Sequence, residues 1–479
     1  MRQPLTTLLL IICMLFGGYS CEESTALDQV QDELTTPDQE DEEEEDNEEE
    51  EDKNEEQEQE QEDNEEDSEE NNGDDEEDEE EREPGLYTLT LFEPFSTADG
   101  YPVLEINPTV VENSALIVDV VEDYGAAGDG VTDDSAALQS AIEFVTSNTD
   151  GGIVYMPLGN YRLHDIELKS NVHLHVEAGS VISMEPSSSN TKLFLLGFYT
   201  YVNNVAIRGV NGRFTIDLTG MTGKPRTIRL NSVHNFLISD IDIKSNMVEF
   251  PVIGFGADSD SDPDIFGPTQ GVVKNCSAYD CHYGYGLVQV QCANKVYFEE
   301  LYGEGGVVLR FETGEDSMNE KQFGGVFDCR GQNISGINGN ATVMISPHSM
   351  KNGVVQVDGI TTNSMGIGVR LDNGYEMTVN EGETDQYILP AGYYSDGCYI
   401  SNVDATFGWD AQVKTKHLKY MPEWLLEYVP DPYSGTICQP SPSVCAILNV
   451  PNYNIGILGD ITATGYTNEA IVSEEAARE

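Results

Sequence analysis

The 479-residue sequence predicts an all-β fold in which short strands stack as the coils of a parallel β-helix. Runs of period-two alternation recur from about residue 150 to 470, among them NVHLHVEAG (171–179), NFLISDIDI (235–243), KVYFEELYG (295–303), GVVQVDGI (353–360) and CYISNVDATF (398–407). Gly, Asn and Asp punctuate these runs, as turns between short strands require. No long amphipathic helix separates them, whereas a doubly wound α/β sheet needs one per crossover. Alternation also suits an antiparallel sandwich, but stacked coils account better for the length, because each coil completes its neighbour's core.

The elements follow in chain order. Residues 1–20 have the layout of an export signal: Arg2, an apolar run from Leu8 to Phe16, then small or polar residues up to Cys21. The run is short for a transmembrane helix. The cysteine after Gly18-Tyr19-Ser20 resembles a lipobox, which implies a lipid on Cys21 and an exported protein held at the outer membrane or cell surface, or secreted. Residues 21–84 read as a disordered acidic tether, since 38–83 hold 33 acidic residues and almost nothing apolar. Residues 85–479 form the β-helix domain. It opens with short strands (YTLTLF at 87–92, ALIVDVV at 115–121) and DYGAAGDGVTDDSAALQSAIEFVTS (123–147). There Asp133, Asp134 and Ser135 can cap a helix with Ala136, Leu138, Ile142 and Val145 on its apolar side. A helix followed by GGIVYMPLGNYRL resembles the N-terminal cap of right-handed parallel β-helices of the polygalacturonase-like and phage-tailspike kind. Polar, turn-rich departures near 251–267, 372–397 and 409–435 read as loop insertions that wall a groove. Their aromatics (Tyr375, Tyr387, Tyr393, Tyr394, Tyr420, Trp424) suit sugar faces.

The formal net charge of −65 argues against a nucleic-acid partner, which would need a basic footprint. Seven cysteines lie in the β-helix region without zinc spacing, and Cys438 and Cys445 are the best disulfide pair for an exported protein.

The chemistry centres on GEGGVVLRFETGED (303–316). In a strand, Arg310, Glu312 and Gly314 face one way, towards a groove, while Leu309 and Phe311 fill the core. Gln289 lies 23 residues before Glu312, about one coil, so the two are expected side by side, with Gln291 on the same face. Later coils bring His348 and Lys351, then Arg370, Asp372 and Glu376.

The segments GGVVLRFET, SPHSMKNGVVQV and R-x-D-x-G-Y resemble the iota-carrageenases, glycoside hydrolase family 82, in content and spacing from the cap near Asp123 through the late coils. The resemblance implies a right-handed parallel β-helix that hydrolyses β-1,4 linkages of iota-carrageenan, a sulfated red-algal galactan, with inversion. It also implies structural calcium, and sodium and chloride as bound ions, with no cofactor for the chemistry. It makes Glu312 the general acid, with Gln289 positioning water and an anion beside it and His348 in the substrate-orienting position. The family's base is an aspartate two residues past the acid, where this chain has Gly314. Asp316, then Glu315 or Glu376, are the available substitutes.

An inverting pair needs one protonated and one ionised carboxyl about 6.5–9.5 Å apart, so Glu312 is expected to have a raised pKa. Sulfates need cations, for which Arg208, Arg213, Arg226, Arg229, Arg310, Arg330, Lys351 and Arg370 are available. Another β-helix glycosidase or lyase on an anionic polysaccharide, or a non-catalytic glycan-binding surface lipoprotein, are the rival readings. A monomer is expected.

Overall fold

The computed structural model describes residues 116–148, 151–184, 191–198, 200–257, 267–314, 316–381, 385–433 and 435–478. The signal, the tether and the 87–92 strand lie outside them. The fold is a right-handed parallel β-helix whose strands form three ladders. The first runs through Ile117–Asp119, Gly152–Met156, Val172–Glu177, Val202–Val210 and onward to Gly456–Thr464. The second begins at Asp129–Asp133 and Asn160–Leu163. The third begins at Ile166–Leu168 and Lys192–Leu196, continues through Arg226–Leu230 and Ile253–Phe255, and ends at Cys445–Asn449 and Ile471–Ser473.

Side-chain chemistry dictates the turns between ladders. Asn171, Asn204 and Asn235 stand at successive corners with φ of 61°, 59° and 58°, a region that asparagine tolerates. Their amides bond along the stack, Asn204 Nδ2 to Asn171 Oδ1 at 3.0 Å and Asn235 Nδ2 to Asn204 Oδ1 at 3.4 Å. Inside the coils Phe236, Phe255, Phe298 and Phe311 pack at centroid distances of 5.6–5.9 Å. Such aromatic pairs contribute about 0.5–1.5 kcal/mol each beyond their burial.

The cap is helix α1 (Ser135–Ser147), with Leu138, Ala141, Ile142 and Val145 buried. Ala136 is exposed, and Ala141 takes the place expected for it. Asp133 caps by accepting from Ser135 N at 3.0 Å, whereas Asp134 accepts from Ala127 and Gly128 in the preceding loop. Two insertions are true excursions. Met377–Glu381 and Asp385–Leu389 form an antiparallel hairpin, and Ala411–Lys414 pairs antiparallel with Ile437–Ser441 around two 3-10 turns. The third differs: Ile253–Phe255, taken as part of an insertion, is a rung of the third ladder, and 258–266 lie outside the described residues. Cys438 and Cys445 are both free thiols, which corrects the expected disulfide. Cys445 is a rung of the third ladder opposite Ile367, while Cys438 belongs to the hairpin opposite Val413.

His173 and His175 are buried on the first ladder. Burial pushes His173 from 6.5 down to about 4, and His175 well below its ordinary value, with neighbouring His173 and Arg208 adding to the second shift. The unfolded chain takes up these protons below about pH 6.5 and the folded chain does not. Stability is therefore full above that pH and drains as it falls towards 4, by on the order of 3 kcal/mol for His173. Melting curves should show this loss, and it should shrink in H173L/H175L. An unchanged pH dependence in that variant contradicts the assignment.

Candidate active site

The site lies on the outer side of the third ladder. Val288–Leu309, Gln289–Arg310 and Val290–Phe311 are paired rungs, and Leu309 and Phe311 turn into the core. Gln289 is thus level with Arg310, not with Glu312. The register shifts twice between Ala278 and Gly286, and this irregular stretch is why the residue 23 positions before Glu312 falls on the level of Arg310.

Glu312 ends its strand and is buried, 4% exposed, rather than open to the groove. Arg310 Nη2 forms an ion pair with its Oε2, and His348 Nε2 stands 3.3 Å from its Oε1. Arg310 Nη1 also donates to the Gly284 carbonyl at 2.6 Å. His348 is held from behind by the Tyr375 hydroxyl, 2.6 Å from Nδ1. Burial alone would raise the Glu312 pKa, but Arg310, the His348 contact and Arg370 overcome it and hold the carboxyl at about 2. The expected raised pKa is therefore corrected: in this arrangement Glu312 is an anion, because its cation sits on the same strand two residues back.

The position two residues past Glu312 is closed. A Cβ on Gly314 would lie 2.6 Å from His348 Cε1 and 2.9 Å from Nδ1. The imidazole occupies the space that an aspartate there would use. G314A should displace the ring, costing about 1–3 kcal/mol, and should lower turnover more than its loss in Tm explains. Unchanged turnover with an unchanged Tm would contradict this packing. After Gly314 the chain enters helix α2 (Asp316–Lys321). Glu315 lies outside the described residues, as does the Asp316 side chain. Glu376 is exposed beyond the strand Ile367–Leu371. Lys351 is exposed on a short strand paired with Tyr393–Tyr394.

Of the expected cations, Arg229, Arg310 and Arg370 share one row, through the rungs Arg229–Gly254, Gly254–Gln289, Gln289–Arg310, Arg310–Met344 and Met344–Arg370. A Cβ on Gly254 or Gly256 would meet the Arg229 guanidinium at 2.9 or 2.8 Å, so both glycines make room for it. Arg226 begins the same strand as Arg229. Arg208 and Arg330 are rungs of the first ladder, and Arg213 is engaged by Asp242 at 2.7 Å. Arg370 clasps Asp372 through Nε at 3.0 Å and Nη2 at 2.6 Å. Among the aromatics, Tyr387, Tyr393 and Trp424 are exposed, but Tyr394 and Tyr420 are buried anchors. Sequence reading missed Tyr375 as the support of His348. Among the described residues no group of three or more His, Cys, Asp or Glu converges, so no ion site is assigned to them.

Residues 117–299 match the family described as rhamnogalacturonase A/epimerase, pectate lyase-like. That match ends before Glu312. The iota-carrageenase of Alteromonas macleodii is 34% identical over 260 residues, 54% of this chain and 53% of that protein. The iota-carrageenase of Zobellia galactanivorans is 35% identical over 263 residues, 53% of this chain and 52% of that protein. The chain thus spans about half the length of these curated relatives. A solved iota-carrageenase complexed to iota-carrageenan fragments superposes with a TM-score of 0.69 at 25% identity, over 76% of this chain and 92% of that one. Over about half of its length the chain is similar to iota-carrageenases.

Proposed function

We propose that this chain hydrolyses β-1,4 linkages inside iota-carrageenan chains with inversion, Glu312 acting as general acid. The observation that carries the reading is the buried Glu312–His348 pair, held by Arg310 on one side and Tyr375 on the other, in a chain similar to two iota-carrageenases. The arginine row suits a polysaccharide that carries sulfates along its length, because a planar guanidinium meets an oxyanion with two parallel hydrogen bonds. A sulfate that engages Arg310 weakens its hold on Glu312. The sugar then expels water, and desolvation raises the carboxyl towards the protonated state that an acid needs. His348, oriented by Tyr375, keeps the carboxyl aimed.

The wider reading includes export, a lipid on Cys21 that tethers the domain to the outer membrane through the acidic segment, and action as a monomer. Calcium, with sodium and chloride, belongs to it as a bound structural ion and enters no step above. The test is a substrate panel of iota-, kappa- and lambda-carrageenan and polygalacturonate, followed by reducing-end release and by absorbance of unsaturated ends. Saturated oligosaccharides from iota-carrageenan are expected. Unsaturated ends, or no cleavage of iota-carrageenan, would overturn the reading.

A further inference from the structure

Inversion needs a second carboxylate that takes a proton from water, and the His348 ring excludes it from position 314. The third ladder offers another. The pattern Arg-x-Glu at 310–312 is repeated as Arg-x-Asp at 370–372, each carboxylate clasped by the arginine two residues before it. The strand Ala341–Ser346 lies between them. Glu312 pairs with Ser346, Ile345 pairs with Leu371, and Asp372 N donates to the Ile345 carbonyl at 2.9 Å. The next step along the ladder brings Asp372 level with Ser346, and so with Glu312.

We infer that Asp372 is the general base of this chain. The inference rests on the hydrolase reading above. Neighbouring strands are about 4.7–4.9 Å apart, so two spacings set the backbones of Glu312 and Asp372 about 9–10 Å apart on one face. Inverting carboxyl pairs stand about 6.5–9.5 Å apart, with water between. Ser346, the residue between them, is small enough to leave that room. The two side chains also differ in access: Glu312 is 6% exposed and Asp372 16%, so the acid is dry and the base can be reached by water. Arg370 holds the Asp372 carboxylate in place with contacts from Nε and Nη2.

A lone pair of the water oxygen forms the new bond to the anomeric carbon while the bond to the leaving oxygen breaks. That bond's electron pair goes to the leaving oxygen, which takes the proton of Glu312. The proton of the attacking water passes to Asp372. The product carries the inverted, α configuration, and proton exchange with solvent resets both carboxyls.

The test is D372N assayed on iota-carrageenan with and without sodium azide, beside E376Q and D316N. Azide needs no base, so it should restore turnover in D372N and yield the α-glycosyl azide, a signature that a structural role would not produce. Turnover without azide is expected to fall about 10²- to 10⁴-fold. Undiminished turnover in D372N, or a loss that azide does not relieve, overturns the inference, as does azide rescue confined to E376Q or D316N. Should D372N fail to fold because Arg370 is left unpaired, the charge-balanced R370Q/D372N takes its place with the same outcomes. Wild-type turnover in the same assay separates this assignment from the hydrolase reading: with the wild type active, Asp372 alone is at stake.

Discussion

E312Q should bind iota-carrageenan and fail to cleave it, with turnover reduced by about 10²- to 10⁴-fold or more. The amide keeps the shape of the carboxyl and can still accept from Arg310, so the buried site keeps a hydrogen bond where alanine would leave a cavity. It cannot give a proton to the leaving oxygen. Glu312 is buried between Arg310 and His348, and losing its charge should cost some stability, read as a lowered Tm in a protein that still melts cooperatively. Binding is checked by affinity electrophoresis in gels containing the polysaccharide. Retained turnover would remove Glu312 from the role of acid.

R310M should produce the second large effect, and it separates electrostatics from shape. In the wild type, Arg310, the His348 contact and Arg370 outweigh burial and hold Glu312 at about 2, against an ordinary value of 4.5. A carboxyl depressed in this way contributes stability that is present above about pH 4.5 and is lost as pH falls through the folded value near 2. Without the guanidinium, burial counts for more and the pKa of Glu312 rises. The stability gap between wild type and R310M should then be widest at neutral pH and should narrow on acidification, as the variant takes up a proton the wild type refuses. Breaking a buried pair costs about 3–5 kcal/mol when the remaining charge cannot escape, and protonation of Glu312 reduces that cost. Losing a charged contact to sulfate should also raise KM by about 10- to 100-fold, which corresponds to about 1.5–3 kcal/mol. A gap that is independent of pH would contradict the account of Glu312.

Much of the scaffold could be read from local pattern, because a ladder residue faces in or out with strict period two. That logic put Leu309 and Phe311 in the core and Arg310 and Glu312 outside it, as found. Facing outward is a statement about direction, however, and not about exposure. Glu312 is covered by His348 and, behind it, Tyr375, which arrive from loops 36 and 63 residues further on. No local pattern reports such a lid. Coil length misled in the same way: the irregular stretch before Gly286 moves Gln289 to the level of Arg310. The strand Ile253–Phe255 was hidden because its three residues run directly into a polar, aspartate-rich segment. The repeat Arg-x-Glu, Arg-x-Asp was visible throughout, but its meaning depends on two strands being separated by one other, which is a property of the stack.

The central claim is inversion at a β-1,4 galactosidic bond by an acid on one strand and a base two strands away. Proton NMR of the first products from iota-carrageenan, recorded before mutarotation equilibrates the new reducing ends, tests it most directly. The account predicts that the α anomer appears first and the β anomer grows in afterwards. A β anomer formed first would contradict it, because retention requires a covalent intermediate and carboxyls only about 5–5.5 Å apart, nearer than two carboxyls two strands apart would stand.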